Sequence, residues 1–127
     1  MTHPSGVPWR AILEGMTRQC WLVSKGNVLA SAELATSHAD RGRGFLGRDH
    51  AEGALVLDRT RWIHTMGMRF TLDVAYVDDQ GLVIRISRLR PHRVGPFVRG
   101  AAKVVEAQAG SFERWGLQVG DVVELRE

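Results

Sequence analysis

The chain contains few of the residues that would point directly to one particular chemistry. Cys20 is its one cysteine, so neither an intramolecular disulfide nor a thiolate metal cluster can form. The apolar setting of Cys20 predicts a buried thiol that takes no part in catalysis. No two histidines have the i, i+4 spacing of a zinc-binding helix, and there is no nucleophile elbow, phosphate-binding loop or dinucleotide fingerprint. We therefore predict no metal site and no cofactor, and we assign no catalytic residue.

Acidic residues are absent between Asp79 and Glu106, within a chain whose formal net charge is +3. The same interval holds a series of cations, and we define it as the predicted basic face: Arg85, Arg88, Arg90, Arg93, Arg99 and Lys103. A local excess of positive charge favours an anionic partner such as phosphate, nucleic acid, an acidic lipid surface or an acidic protein. Solvated strand and loop positions explain the same pattern, and the sequence leaves both interpretations open.

Long apolar runs are also missing. No segment approaches the roughly 20 apolar residues that a membrane span needs, and the N-terminus lacks the basic and apolar regions of a secretory signal. We therefore expect a cytoplasmic protein. The length of 127 residues, with 44% hydrophobic and 24% charged residues, fits one globular domain. We predict a loosely ordered lead-in over residues 1–19 and a single β-rich domain over residues 20–127.

Short apolar runs separated by turn residues predict a mainly β fold, mostly antiparallel and barrel-like or roll-like, with one or two short helices. The predicted elements are a hairpin of Cys20–Val23 and Val28–Ser31, a helix over His38–Leu46, a strand at Ala54–Leu57, a hairpin of Leu72–Val77 and Leu82–Ile86, a strand at Val104–Ala107, a one-turn helix at Ser111–Trp115 and a last strand at Val122–Leu125.

The segment from Arg61 to Asp78 sets aromatic and polar side chains among apolar ones. Polar groups in such a setting must be hydrogen-bonded or used, because burying them unpaired is costly. If the turn of the second hairpin has two or four residues, Asp73 lies opposite Ile86 and faces the apolar side. The carboxylate then either caps backbone N–H groups or pairs with an arginine, or else it holds a ligand or moves a proton.

Three functional hypotheses follow. The first is a small domain that binds a polar or anionic small ligand in a pocket lined by Trp62, His64, Thr65 and Asp73, with Arg41, Arg48 and Glu106 supporting it. The second is an interaction module that binds nucleic acid or an acidic protein through the predicted basic face. The third is a hydrolase or isomerase that uses His64 and Asp73, although a lone histidine in this setting is more often a hydrogen-bonded core residue than a base.

Several motifs, in the same order, resemble those of domain-of-unknown-function family 192, a set of small bacterial and archaeal proteins. The matching segments are Arg41–Arg48, Leu72–Asp73, Pro91, Val104–Gly110 and Gly116–Asp121. Between them, His64 falls where the family's commoner pattern has a tryptophan, and Gly67 and Met68 fall where it has asparagine and threonine. The resemblance implies a small β-rich fold, and the family brings no established activity with it.

Overall fold

The computed structural model describes residues 17–35 and 52–127. Those residues form seven strands and one helix, which we label β1 (Thr17–Ser24), β2 (Asn27–Ala35), β3 (Ala54–Asp58), β4 (Leu72–Val77), β5 (Val83–Leu89), β6 (Lys103–Gln108), α1 (Ser111–Trp115) and β7 (Val123–Arg126). The predicted mainly β class is confirmed. The first described strand begins at Thr17, and the predicted helix at His38–Leu46 lies outside the described residues.

All seven strands belong to one sheet, in the order β5-β4-β6-β3-β2-β1-β7. Every neighbouring pair is antiparallel except β2 and β3, which are parallel. The first and last strands of this order also meet, through an isolated bridge between Leu82 and Val122. Beside the bridge, the Val123 N–H donates to the Gly81 carbonyl at 2.8 Å. The sheet therefore curls into a partly closed barrel.

One hydrophobic cluster fills the inside of the curl. Val83 and Val123 come from opposite ends of the strand order, yet they pack in the same cluster, together with Leu22 and Val56 of the intervening strands. Phe112 of α1 joins it, so the helix packs on this inner face. Each buried valine or leucine of this kind contributes about 1.5–3 kcal/mol relative to an exposed one.

Cys20 belongs to the same inner cluster and is 7% exposed. Burial raises the pKa of its thiol, which keeps the sulfur protonated and unreactive. The buried thiol predicted from its apolar neighbours is confirmed.

A second cluster lies on the outer face of the sheet. It combines strand residues such as Leu57, Val74 and Val104 with Ile63 and Met68 from outside the strands. Two segments, residues 59–71 and 90–102, cover this face, and we call them the loop layer. They run antiparallel to each other, with hydrogen bonds from Thr65 N to Arg93 O at 2.7 Å and from Gly95 N to Ile63 O at 2.9 Å. Because β4 lies between two cores, all six of its residues are buried.

The register of the second hairpin differs from the prediction. Val77 pairs with Val83 and Tyr76 with Arg85, so Ile84 is an extra residue that bulges the edge strand. The bulge places Ile84 against the outer cluster rather than on the inner face. Asp73 consequently lies opposite Arg88, not Ile86. The predicted pairing was wrong, although Asp73 does share the inner face with Ala75 and Val77, as expected.

Because the sheet closes beside Gly81, we expect alanine to destabilise the protein more at Gly81 than at Gly26, a glycine with a similar backbone conformation. Gly81 (φ +86°) is so close to the facing strand that an added Cβ would lie 2.5 Å from the Val123 carbonyl oxygen, whereas Gly26 (φ +77°) has no neighbour within 4 Å. Alanine at either site pays the left-handed strain of about 1–2 kcal/mol. Only Gly81→Ala also pushes β5 away from β7, so we expect it to lose about 1–2 kcal/mol more. Urea unfolding of both variants measures this, and equal losses would contradict it.

Candidate functional site

The predicted site residues are divided between the two faces of the sheet. Asp73 pairs with Ala107, and the next pair along the two strands is Val74 with Glu106. Since successive side chains point to opposite faces, Asp73 lies on the inner face and Glu106 on the outer one. The single pocket that was predicted to contain both carboxylates is therefore not formed.

The Asp73 carboxylate joins three elements of the inner face. Its Oδ2 accepts hydrogen bonds from the backbone N–H groups of Gly110 at 2.9 Å and Phe112 at 3.2 Å. Its Oδ1 accepts from Nε of Arg88 at 2.9 Å. The N-cap residue Gly110 offers no side-chain acceptor to α1, so Asp73 provides the cap from a distant strand. Capping and arginine pairing, two of the roles left open by the sequence, occur together.

Arg88 lies at the edge of a groove between β5 and α1. The groove has a volume of about 530 Å³ and is lined by Asp73, Ile86, Ser87, Arg88, Phe112, Glu113, Gly116, Leu117 and Gln118. The hydrogen bond to Asp73 raises the pKa of the Arg88 guanidinium, and the charges of Asp73 and Glu113 raise it further. Sequence reasoning placed Arg88 on a basic face, but its nearest charge is this carboxylate.

Glu106 lies within the outer core, 4% exposed. Leu55 and Val74 flank it on the neighbouring strands, and burial raises its pKa from 4.5 to about 8. On the same face, the buried Tyr76 hydroxyl has no hydrogen-bond partner among the described residues, and burial raises the pKa of that phenol as well. The predicted supporting residues Arg41 and Arg48 lie outside the described residues.

Thr65 is fully buried and holds the loop layer together. Its hydroxyl donates to the Arg90 carbonyl at 2.6 Å and accepts from the Arg93 N–H at 2.9 Å. Its carbonyl accepts from the N–H groups of Met68 and His92 at 3.0 and 2.8 Å. These bonds satisfy the polar groups of Thr65 within the loop layer, so Thr65 does not line an open pocket.

Trp62 and His64 lie side by side on the exposed surface of the loop layer. Their ring centroids are 5.7 Å apart, with the planes tilted by 59°. The Met66 N–H donates to Nδ1 of His64 at 3.2 Å, and the Gly67 N–H donates to Nδ1 of His92, also at 3.2 Å. In the neutral form, both imidazoles therefore carry their proton on Nε2. Because His64 is in the outer layer and Asp73 on the inner face, the structure does not assemble the predicted pair for a hydrolase or isomerase.

The predicted basic face is not continuous. Arg85 lies opposite Tyr76, an outer-core residue, whereas Arg88 lies opposite Asp73 on the inner face. Lys103 lines a cavity at one end of the barrel, next to the turn between β4 and β5. The bulge in β5 and the alternation of side chains thus separate three of the six predicted cations.

The remaining cations share the loop layer with exposed apolar side chains. The exposed arginines of the layer include Arg61, Arg90, Arg93 and Arg99, and the exposed apolar residues are Trp62 (44%), Met66 (49%), Val94 (65%) and Phe97 (64%). Residues 59–71 and 90–102 contain no aspartate or glutamate. We call these eight side chains, with His64 and His92, the loop-layer surface. Sequence reasoning missed Arg61, Val94 and Phe97, and the detectable signal was that two separate segments both lack carboxylates.

Two further observations concern metal binding and membrane-spanning helices. No group of three or more histidine, cysteine, aspartate or glutamate side chains could hold a metal within residues 17–35 and 52–127. In the same part of the chain, no helix is long and apolar enough to cross a membrane.

The fold defines a class of small, partly closed β-barrels with one short helix on the inner face. Within that class, the model of the DUF192 family, described as an uncharacterised ACR, matches residues 21–125. The chain belongs to the DUF192 family, as its motifs indicated.

The chain is similar to a UPF0127 protein of Pyrococcus abyssi, with 31% identity over 97 residues that cover 72% of this chain and 83% of that protein. Its fold is similar to the crystal structure of a Novosphingobium aromaticivorans protein of unknown function, with a TM-score of 0.71, 20% identity and coverage of 85% of this chain and 84% of that one. A Sinorhizobium meliloti crystal structure is similar too, with a TM-score of 0.66, 20% identity and coverage of 86% and 93%.

The contacts of Asp73 predict that Asp73→Ala lowers the free energy of unfolding more than Arg88→Ala does, although each variant breaks the same ion pair. Asp73→Ala leaves the N–H groups of Gly110 and Phe112 without their acceptor, which costs about 2–4 kcal/mol of unfolding free energy. Arg88→Ala removes a side chain that is 55% exposed and should cost at most about 1 kcal/mol. Urea unfolding at neutral pH compares the two variants. Similar losses would show that the ion pair, rather than the capping, stabilises this region.

Burial of Glu106 predicts a pH dependence of stability. Below pH 4.5 the carboxyl is protonated in both the folded and the unfolded chain, so the folded state is not penalised. Between 4.5 and about 8 only the unfolded chain ionises, and the free energy of unfolding falls by about 1.4 kcal/mol per pH unit. The penalty is complete once the pH exceeds the folded pKa. Glu106→Gln should remove this slope in unfolding measured from pH 4 to 9, whereas the exposed Glu124→Gln should retain it. An unchanged slope in Glu106→Gln would be incompatible with a raised pKa.

Proposed function

We propose that this protein binds single-stranded nucleic acid on the loop-layer surface. The observation that carries the proposal is the combination of exposed rings and exposed arginines on a surface whose two segments contain no carboxylate. Single-stranded nucleic acids present the complementary chemistry, since each nucleotide joins a flat base to a negative phosphate. This surface includes Trp62 and His64 of the predicted pocket and Arg90, Arg93 and Arg99 of the predicted basic face.

The rings are placed so that bases can stack on them. Hydrogen bonds from Gly95 N to Ile63 O and from Val98 N to Arg61 O, both 2.9 Å, flank Trp62 on one segment and residues 96–97 on the other. Trp62 therefore lies across from residues 96–97, and the His64 ring is next to it. Stacking of a base on an aromatic side chain contributes about 1–3 kcal/mol and tolerates any base.

The charges favour an unpaired strand. Arginine guanidinium groups bind phosphate oxygens with two parallel hydrogen bonds, and Arg61, Arg90, Arg93 and Arg99 are exposed on the same two segments as the rings. Arg61 is held in place by a bond from its Nε to the Ala101 carbonyl at 3.0 Å. A duplex hides the faces of its bases, so exposed rings add nothing to its binding, whereas a single strand uses rings and arginines together.

Fluorescence anisotropy with a labelled oligouridylate and a labelled oligothymidylate tests this function. Affinity should decrease with salt, with a slope of about 0.7 for each phosphate contact. Trp62→Ala should weaken binding about 5-fold to 150-fold without changing that slope, because it removes stacking only. Arg90→Gln and Arg99→Gln should each reduce the slope by about 0.7.

Matched controls come from the opposite edge of the sheet. Trp21 on β1 is 51% exposed, close to the value for Trp62, and Trp21→Ala should leave affinity unchanged. Arg126→Gln on β7 serves the same purpose for the arginines. The proposal is rejected if no oligonucleotide binds at low salt, or if Trp21→Ala and Trp62→Ala weaken binding equally. Binding to phosphatidylserine vesicles without binding to oligonucleotides would instead identify the surface as one for acidic lipid.

A further inference from the structure

We infer that the groove between β5 and α1 is a second binding site, for a small zwitterion with an apolar body, such as an aliphatic or aromatic amino acid or a dipeptide. The site lies on the inner face of the sheet and is independent of the loop-layer surface. It rests on three features of one groove: a fixed guanidinium on β5, a carboxylate on α1 and apolar lining residues.

Arg88 forms the anion-binding end. Its Nε donates to Oδ1 of Asp73 at 2.9 Å, and Asp73 is itself 3% exposed and anchored by the N–H groups of Gly110 and Phe112. A guanidinium bound through Nε keeps its two terminal nitrogens for another acceptor. The Arg88 side chain is 55% exposed, so those nitrogens can reach a ligand carboxylate in the groove.

Glu113 provides the negative charge. It lies on α1, is exposed and lines the same groove as Arg88, and its charge acts on the Arg88 guanidinium. The groove is also lined by Ile86, Phe112 and Leu117. An ammonium group meets its counter-charge at Glu113, and an apolar body covers the floor and removes it from water. The volume of about 530 Å³ is within the range of small-molecule sites.

The balance of charge selects a zwitterion over a simple anion or cation. Asp73 already neutralises Arg88 in part, so an anion alone gains one contact while it is repelled by Glu113. A cation alone gains Glu113 but gives the terminal nitrogens of Arg88 no acceptor. A ligand that carries both charges contacts Arg88 and Glu113 together, and double recognition of this kind rejects analogues that lack either group.

Titration of the full chain with L-leucine, L-phenylalanine and L-leucyl-L-leucine, followed by NMR chemical shifts, tests the site. We expect saturable binding of at least one of these probes at millimolar concentrations, with the largest shifts at Phe112 and Leu117. Two analogues of leucine give the ligand-side controls. 3-Methylbutylamine lacks the carboxylate and 4-methylpentanoate lacks the ammonium group, and each should bind at least about tenfold more weakly, the equivalent of one lost charge-assisted contact.

Protein variants give the second arm. Arg88→Gln and Glu113→Gln should each weaken binding of the zwitterion about tenfold, while Arg126→Gln and Glu124→Gln, an exposed pair on β7, should not. If Arg88→Gln fails to fold, the two analogues on the unchanged protein still decide the question. Absence of saturable binding for all three probes overturns the inference, as does equal binding of the amine or the acid. Trp62→Ala should leave this titration unchanged, so failure here is distinguishable from failure of nucleic-acid binding.

Discussion

The Asp73 carboxylate is the contact on which the inner half of the structure depends. It ties together the middle of the sheet, the start of α1 and the edge strand β5. A five-residue helix cannot be stable alone, because helix nucleation is unfavourable and so few bonds follow it. Its N-terminal N–H groups are satisfied from β4, and Phe112 anchors it in the inner core. The helix and the groove beside it thus exist because one carboxylate is buried with three donors.

On the outer face, the main constraint is that the loop layer must satisfy its own backbone hydrogen bonds. The loop layer has little regular structure, yet it covers an apolar core and must satisfy its own backbone. Thr65 does so at the centre, where its backbone and hydroxyl bond residues 90, 92 and 93. The inward-facing Ile63 and Met68 enter the outer core, and Thr65 is buried as well, while Trp62, His64 and Met66 face outward. Exposure of Trp62, His64 and Met66 is therefore a consequence of alternation in a segment pinned at Thr65.

Local chemistry made several elements predictable from the sequence. The helix at Ser111–Trp115 was predicted from its stop at Gly116, and Ala54–Leu57 from a short apolar run. The register of β4 and β5 was not predictable, because the extra residue Ile84 lies at the start of β5, which is held by hydrogen bonds to residues 120–123 at the other end of the strand order. For a related reason, the sequence did not show that Asp73 and Glu106 lie on opposite faces of the sheet. Strands buried on both faces show no alternation, so the sequence does not reveal which face each carboxylate occupies.

The two faces differ in how firmly they hold their charges, and this argues for two kinds of ligand. Arg88 is fixed by a buried partner, so a small ligand meets a preformed guanidinium and little ordering of the protein opposes binding. On the loop-layer surface, Arg61 is held by its bond to the Ala101 carbonyl, whereas ordering the exposed side chains of Arg90 and Arg99 costs rotamer entropy at each contact. A polymer offsets that cost by making many contacts in a single association, whereas a small molecule cannot. Fixed geometry on the inner face and distributed charge on the outer one therefore suit a small zwitterion and a flexible strand, respectively.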